Sequence, residues 1–157
     1  MNSTASGSET GASQPTTSAA AISVAAEPSE FAGVRTRVTE FTTIAGLSHD
    51  TGHRITLILE ELFTNLLSHG GGRERAVGAD IMLRRDGGTV HIRFGDNGAP
   101  FNPLDAPPPE LEGGAENRAV GGLGVHLIRQ LTAAAAYRRD EGRNILDMEV
   151  TIPAAPD

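Results

Sequence analysis

Phe31, Val34, Val38, Phe41 and the pair Ile44 and Ala45 recur three or four residues apart, a spacing that predicts an amphipathic helix running to Gly46. Pro28 and Ser29 precede it, with Ser29 the expected N-cap. A second helix is predicted from about Asp50, another capping residue type, to His69. Its apolar positions Ile55, Ile58, Leu59, Leu62, Phe63, Leu66 and Leu67 keep the same period, and Gly70, Gly71 and Gly72 stop it. Ahead of both helices, residues 21–26 read as a short strand with Ile22 and Val24 on one face.

The period then shortens to two. Residues 79–84 and 89–95 read as strands joined by a turn at Asp86, Gly87 and Gly88, and Val90, Ile92 and Phe94 share one face of the second. Residues 97–122 show no period and carry Pro103, Pro107, Pro108 and Pro109 among many glycines. A loop of that length inside a small domain is expected to serve as a lid or a binding loop. A third helix opens at Leu123 and ends near Leu131, and residues 134–139 and 144–152 pair as a hairpin across Asp140, Glu141 and Gly142. No internal repeat is present. The order is strand, two helices, two strands, loop, helix, two strands. It predicts an α+β fold, a two-layer α/β sandwich whose mixed sheet carries helices on one face. Residues 1–20, rich in Ser, Thr, Ala and Gly, are expected to be a disordered tail. The folded domain is expected over 21–153, with a short C-terminal tail at 154–157.

Composition narrows the function more than the fold. The 157 residues suit one domain, and five Phe, one Tyr and no Trp make its core aliphatic. Without cysteine there is no disulfide, thiolate metal site or Cys nucleophile. Net charge is −7 and every one of the 13 basic residues is Arg. Nucleic-acid affinity rests on phosphate neutralisation, so an acidic chain without a basic run does not suit that partner. No apolar run reaches the ~20 residues of a membrane span, and the N-terminus lacks a secretory pattern. A cytoplasmic protein is the expectation.

Three features carry candidate chemistry. Glu61, Asn65 and His69 lie four residues apart and form one polar stripe on the second helix. Such a stripe can simply face water. Asn is nevertheless a poor helix-interior residue, and a buried amide without a partner costs about 1–3 kcal/mol, which a charged ligand with its metal would relieve. Asp96, Asn97 and Gly98 follow the second strand of the hairpin. A carboxylate fixed there can accept a hydrogen bond from an exocyclic amine, and a nearby Gly lets a flat ring approach the backbone; an ordinary turn has the same sequence. Gly121, Gly122 and Gly124 lead into the third helix, whose first amides and positive dipole end suit an anion. The dinucleotide fingerprint fails because its third Gly would fall on Leu127, and the P-loop fails for want of any Lys.

The segments ILEELFTNLLSHG, FGDNGAPFNP and GGLGVHLIRQL closely resemble the three nucleotide-binding boxes of the gyrase, heat-shock chaperone, histidine kinase and MutL ATPase superfamily. Spacing, compact size and the closing YRRDEGRNILDMEV are similar to the anti-sigma-factor serine kinases of the RsbW and SpoIIAB type, over roughly residues 21–152. The resemblance implies ATP and Mg²⁺ as cofactors. It implies Asn65 as the Mg²⁺ ligand and Glu61 as the general base toward a serine hydroxyl. It further implies Asp96 as the partner of the adenine amine with Gly98 beneath the ring, Gly122 and Gly124 as phosphate contacts, and residues 97–121 as a mobile lid. His69 is expected to support rather than react, and Arg118 is either a phosphate contact or a solvated Arg. Three departures stand out: Gly70 and Gly71 where the family commonly has Ala-Tyr, Asn102 in place of an acidic residue, and Asn144 where a Thr often helps to hold adenine.

Two functions follow. One is an ATP-dependent serine/threonine protein kinase and anti-sigma factor in a partner-switching system, phosphorylating a small antagonist. The other is a module that sequesters its target, with or without nucleotide, and transfers nothing. A detached histidine-kinase catalytic domain ranks last. The partners implied are a sigma factor and a single-domain antagonist, with homodimerisation through the face near the first strand and helix.

Overall fold

Parity of the connections determines strand direction. In the computed structural model, which describes residues 17–71, 76–105 and 122–154, β1 (Ser18–Ala25) is followed by α1 (Phe31–Ile44) and α2 (His49–His69) before β2 (Gly78–Asp86). Two helices reverse the chain twice, so β2 returns antiparallel beside β1. A two-residue turn at Gly87 and Gly88, with Gly87 at φ 55°, leads into β3 (Thr89–Asp96). After α3 (Gly122–Leu131) come β4 (Ala134–Asp140) and β5 (Arg143–Thr151). The sheet order is β1-β2-β3-β5-β4 and every pair is antiparallel. This corrects the expected mixed sheet. The single-helix crossover makes β3 and β4 run the same way, but the closing hairpin inserts β5 between them.

The inner face is the aliphatic core predicted from period. Ile81 and Leu83 of β2, Val90, Ile92 and Phe94 of β3, and Leu146, Met148 and Val150 of β5 are buried against the helices. From the helices come Val34, Val38 and Phe41 of α1 and Ile55, Ile58, Leu59, Leu62, Phe63 and Leu66 of α2. Burying each such side chain is worth about 1.5–3 kcal/mol. Ile44 and Leu67, counted above in the apolar stripes, are exposed. Residues adjacent in a helix point about 100° apart, so Ala45 and Leu66 take the inward positions instead.

Several boundaries moved. β1 begins at Ser18, earlier than the Ala21 expected, and takes in residues read as tail. Ser29 caps nothing: it lies in a 3₁₀ turn, Pro28–Glu30, and neither that turn nor α1 has a side-chain cap. For α2 the cap is Ser48, whose Oγ accepts from the Thr51 amide at 3.2 Å, while Asp50 sits in the first turn. There its charge meets the positive end of the helix dipole.

Candidate functional site

Helix α2 crosses the core and presents its polar stripe at the C-terminal end of β3. Gly70 closes the helix in αR conformation, and Gly71 follows at φ 118°. The chain after β3 packs directly onto that end: the Ala99 amide donates to the Gly70 carbonyl at 2.9 Å. A Cβ on Gly98 would lie 2.9 Å from the Gly70 Cα and 3.0 Å from its carbonyl oxygen. The missing side chain of Gly98 is therefore already used by the fold, where two backbones meet. A Cβ on Gly70 would strike the Leu66 carbonyl and lie 2.9 Å from Leu66 Cδ1. This close approach brings Asn65 and His69 of α2 to the same cleft as Asp96 of β3.

Three polar side chains are buried among the described residues: Thr51, Asn65 and Asn144. Thr51 is bonded to Ser48, and Asn144 is fully engaged. Asn65, only 6% exposed, keeps its Nδ2 without a partner among the described residues. Leaving such a donor unpaired costs about 1–3 kcal/mol, so Asn65, unlike the exposed His69, does not merely face water. The Asn65 carbonyl is also a hard oxygen of the type that Mg²⁺ takes.

Asp96 is the last residue of β3. Its Oδ1 accepts from the Gly98 amide at 2.8 Å and from Asn144 Nδ2 at 2.9 Å, while no described group bonds Oδ2. One carboxylate oxygen is thus held by the protein and the other remains free for a donor such as an exocyclic amine. Asn97 plays a structural part: its Oδ1 accepts from the Gly78 amide at 2.8 Å and its Nδ2 donates to the Ala76 carbonyl at 3.1 Å, fixing the entry to β2.

Glu61 lies two turns of α2 before His69 and does not line that cleft. Its carboxylate packs against Gly124 in the first turn of α3, where any Cβ would fall on the Glu61 carboxyl group. Burial, reinforced by the neighbouring Glu60 charge, pushes the Glu61 carboxyl above its usual value of 4.5. Glu60 itself is tied to Arg35 of α1 at 2.6 Å. Gly122 is the first residue of α3, and Gly124 is buried. Arg118 and residues 106–121 of the expected lid lie outside the described residues.

In or beside the cleft lie Phe101, Tyr137 and Arg139, which the sequence did not single out, and Asn144, which the resemblance had placed near adenine. Phe101 stacks on His69 with centroids 4.9 Å apart and planes 16° from parallel. Tyr137, Arg139, Asn144 and the backbone of residues 98–101 form one hydrogen-bonded cluster beside Asp96. Asn144 faces Asp96 across the β3–β5 pair, a juxtaposition that only the register reveals.

The donor set suits a nucleotide with its metal: an unpartnered buried amide, a half-free carboxylate, and a helix start whose Gly124 makes room for a second carboxylate, Glu61. The cavity lined by Asn65 and Asp96 is about 30 Å³, room for water and not for a purine.

Comparison with known proteins agrees with that chemistry. The family described as the histidine kinase-like ATPase domain matches residues 24–150. The serine/threonine-protein kinase BtrW of Bordetella bronchiseptica is 30% identical over 103 residues, which is 66% of this chain and 71% of that protein. The structure of the RsbU and RsbW domains of Rv1364c from Mycobacterium tuberculosis superposes with a TM-score of 0.63 at 16% identity. That alignment covers 85% of this chain and 32% of the longer one, so this chain spans about a third of its length. At that identity the likeness concerns the fold.

Proposed function

The chain belongs to the histidine kinase-like ATPase domain family, and from that premise we propose that it is an ATP-dependent protein serine/threonine kinase that also holds a sigma factor. Its substrate is a single-domain antagonist protein. BtrW, named as a serine/threonine-protein kinase, supports the kinase half of this reading. The resemblance to RsbW and SpoIIAB supplies the partner logic: phosphorylating the antagonist weakens its hold and frees the kinase for the sigma factor.

The observation that carries the reading is the placement of Glu61. A module that only bound nucleotide would have no use for a carboxylate wedged against the first turn of α3 and pushed toward greater basicity. Glu61 takes the proton of the attacking hydroxyl as its oxygen bonds to the γ-phosphorus, and the bond to the bridging oxygen of ADP breaks. Asp96 accepts from the adenine amine through Oδ2. Amides of Gly122 and Gly124 face the phosphates at the helix start. Asn65 would hold Mg²⁺, which would supply charge neutralisation on the triphosphate.

Incubation with γ-labelled ATP, Mg²⁺ and a candidate antagonist tests this. Transfer to a serine or threonine, identified by mass spectrometry, is expected, and Glu61→Gln should lower its rate by about 10²–10⁴. Transfer that survives Glu61→Gln at the wild-type rate would remove Glu61 from the chemistry. Tight binding of the antagonist or sigma factor without transfer leaves the sequestering module.

A further inference from the structure

The cleft described above is narrow, and the same side chain that fixes Asp96 ties down the segment that narrows it. Asn144 is 5% exposed and all of its amide is engaged. Nδ2 donates to Asp96 Oδ1 at 2.9 Å and to the Ala99 carbonyl at 2.8 Å. Oδ1 accepts from the Tyr137 hydroxyl at 2.7 Å, from Arg139 at 2.8 Å and from the Phe101 amide at 3.2 Å. One carboxamide therefore joins the end of β3, the strap of residues 97–105 and the closing β4–β5 hairpin.

The strap also carries the ring that fills the space. Phe101 lies across His69, and both line the cavity together with Asp96, Asn65 and Asn144. That ring and the Phe101 backbone take up room a purine beside Asp96 would need, because the cavity there is only about 30 Å³. The bond most readily given up is the one to Phe101. Three donors share an oxygen that has two lone pairs, and Phe101 is the farthest of the three. The tie to Asp96 uses the other end of the amide and survives that release.

We infer that Asn144 is a latch, a positioning residue that fixes the Asp96 carboxylate while holding Phe101 over the purine site, so that nucleotide enters when the Phe101 bond lets go. The inference rests on the nucleotide reading proposed above. It gives a role to the Asn that replaces the usual Thr. A Thr hydroxyl is short and offers one donor; the longer amide offers two donors and an acceptor, enough to reach the strap as well as the carboxylate.

Stopped-flow mixing with N-methylanthraniloyl-ATP and Mg²⁺ reads the latch directly. Asn144→Thr keeps a hydroxyl donor for Asp96 and loses the hold on the strap; Phe101→Ala keeps the bond and loses the ring. Each variant is expected to raise the association rate about threefold to tenfold, the worth of one modest hydrogen bond or stacked ring. Phe101→Ala carries the test alone if thermal unfolding shows that Asn144→Thr does not fold. Variants that bind while the wild type does not would support the latch in stronger form. Association at the wild-type rate in both variants would overturn the latch and leave the nucleotide site standing. Absence of binding by wild type and variants alike would overturn the nucleotide reading and the latch with it.

Discussion

Asn65 and Glu61 are four residues apart on one helix and are strained in different ways. Asn65 is buried with an unpaired donor, a cost borne by the fold without return unless a ligand meets it. Asn65→Leu, similar in size and free of polar atoms, should raise the thermal midpoint while abolishing Mg²⁺-dependent ATP binding; a lower midpoint with binding intact would contradict the assignment. Glu61 is penalised for its charge by burial and then by Glu60. Its folded pKa lies above the unfolded value, so its stabilising contribution is complete below 4.5 and is lost as pH rises through the folded pKa. Activity has the opposite sign, since a base must be deprotonated. The acid limb of the pH–rate profile should therefore fall off above the ordinary carboxylate range. Glu60→Gln removes one cause and should move that limb to lower pH; an unmoved limb would assign it to another group. The polar stripe was legible from spacing alone. Asn144 was marked only by the resemblance, and its bonds were not legible, because its partners Asp96 and Phe101 are more than 40 positions away in the chain.

Elements were readable where period and glycine punctuation agreed, as in α2, β3 and the hairpin turn at Gly87 and Gly88. Their ends were harder. Ser48 and Asp50 are both good cap residues, and only backbone conformation (Ser48 at φ −67°, ψ 156°) decides between them. The contact between α2 and α3 is where an element end becomes functional. Gly124→Ala puts a methyl group onto the Glu61 carboxyl, and the flexible acid must swing away from its place beside the first turn of α3. The phosphoryl-transfer rate should fall at least tenfold with nucleotide affinity changed less, read as kcat against KM. An unchanged kcat would show that the base does not need that position. Gly98 is a similar case, lacking a side chain so that the chain after β3 can touch the end of α2, whereas a Cβ on Gly70 would meet Leu66 and Val77.

At the scale of the molecule, layer architecture and helices on one face were predictable from element order, and the resemblance of the three boxes to the ATPase superfamily that includes the histidine kinases is borne out by the family match over residues 24–150. Strand order was not predictable. β3 pairs with β5, which lies beyond an intervening loop, a helix and a strand, and no local pattern encodes that pairing. Yet that pairing sets Asn144 beside Asp96 and so builds the proposed adenine end of the site. Among the described residues no helix is long and apolar enough to cross a membrane. The central claim is that the cleft lined by α2 and β3, together with the start of α3 beside Glu61, binds ATP with its metal. Calorimetric titration with ATP, with and without Mg²⁺, of the wild type beside Asn65→Ala and Asp96→Ala tests it most directly. Saturable binding that requires Mg²⁺ in the wild type and vanishes in both variants is the predicted result; a folded wild-type protein that takes up no ATP would contradict it.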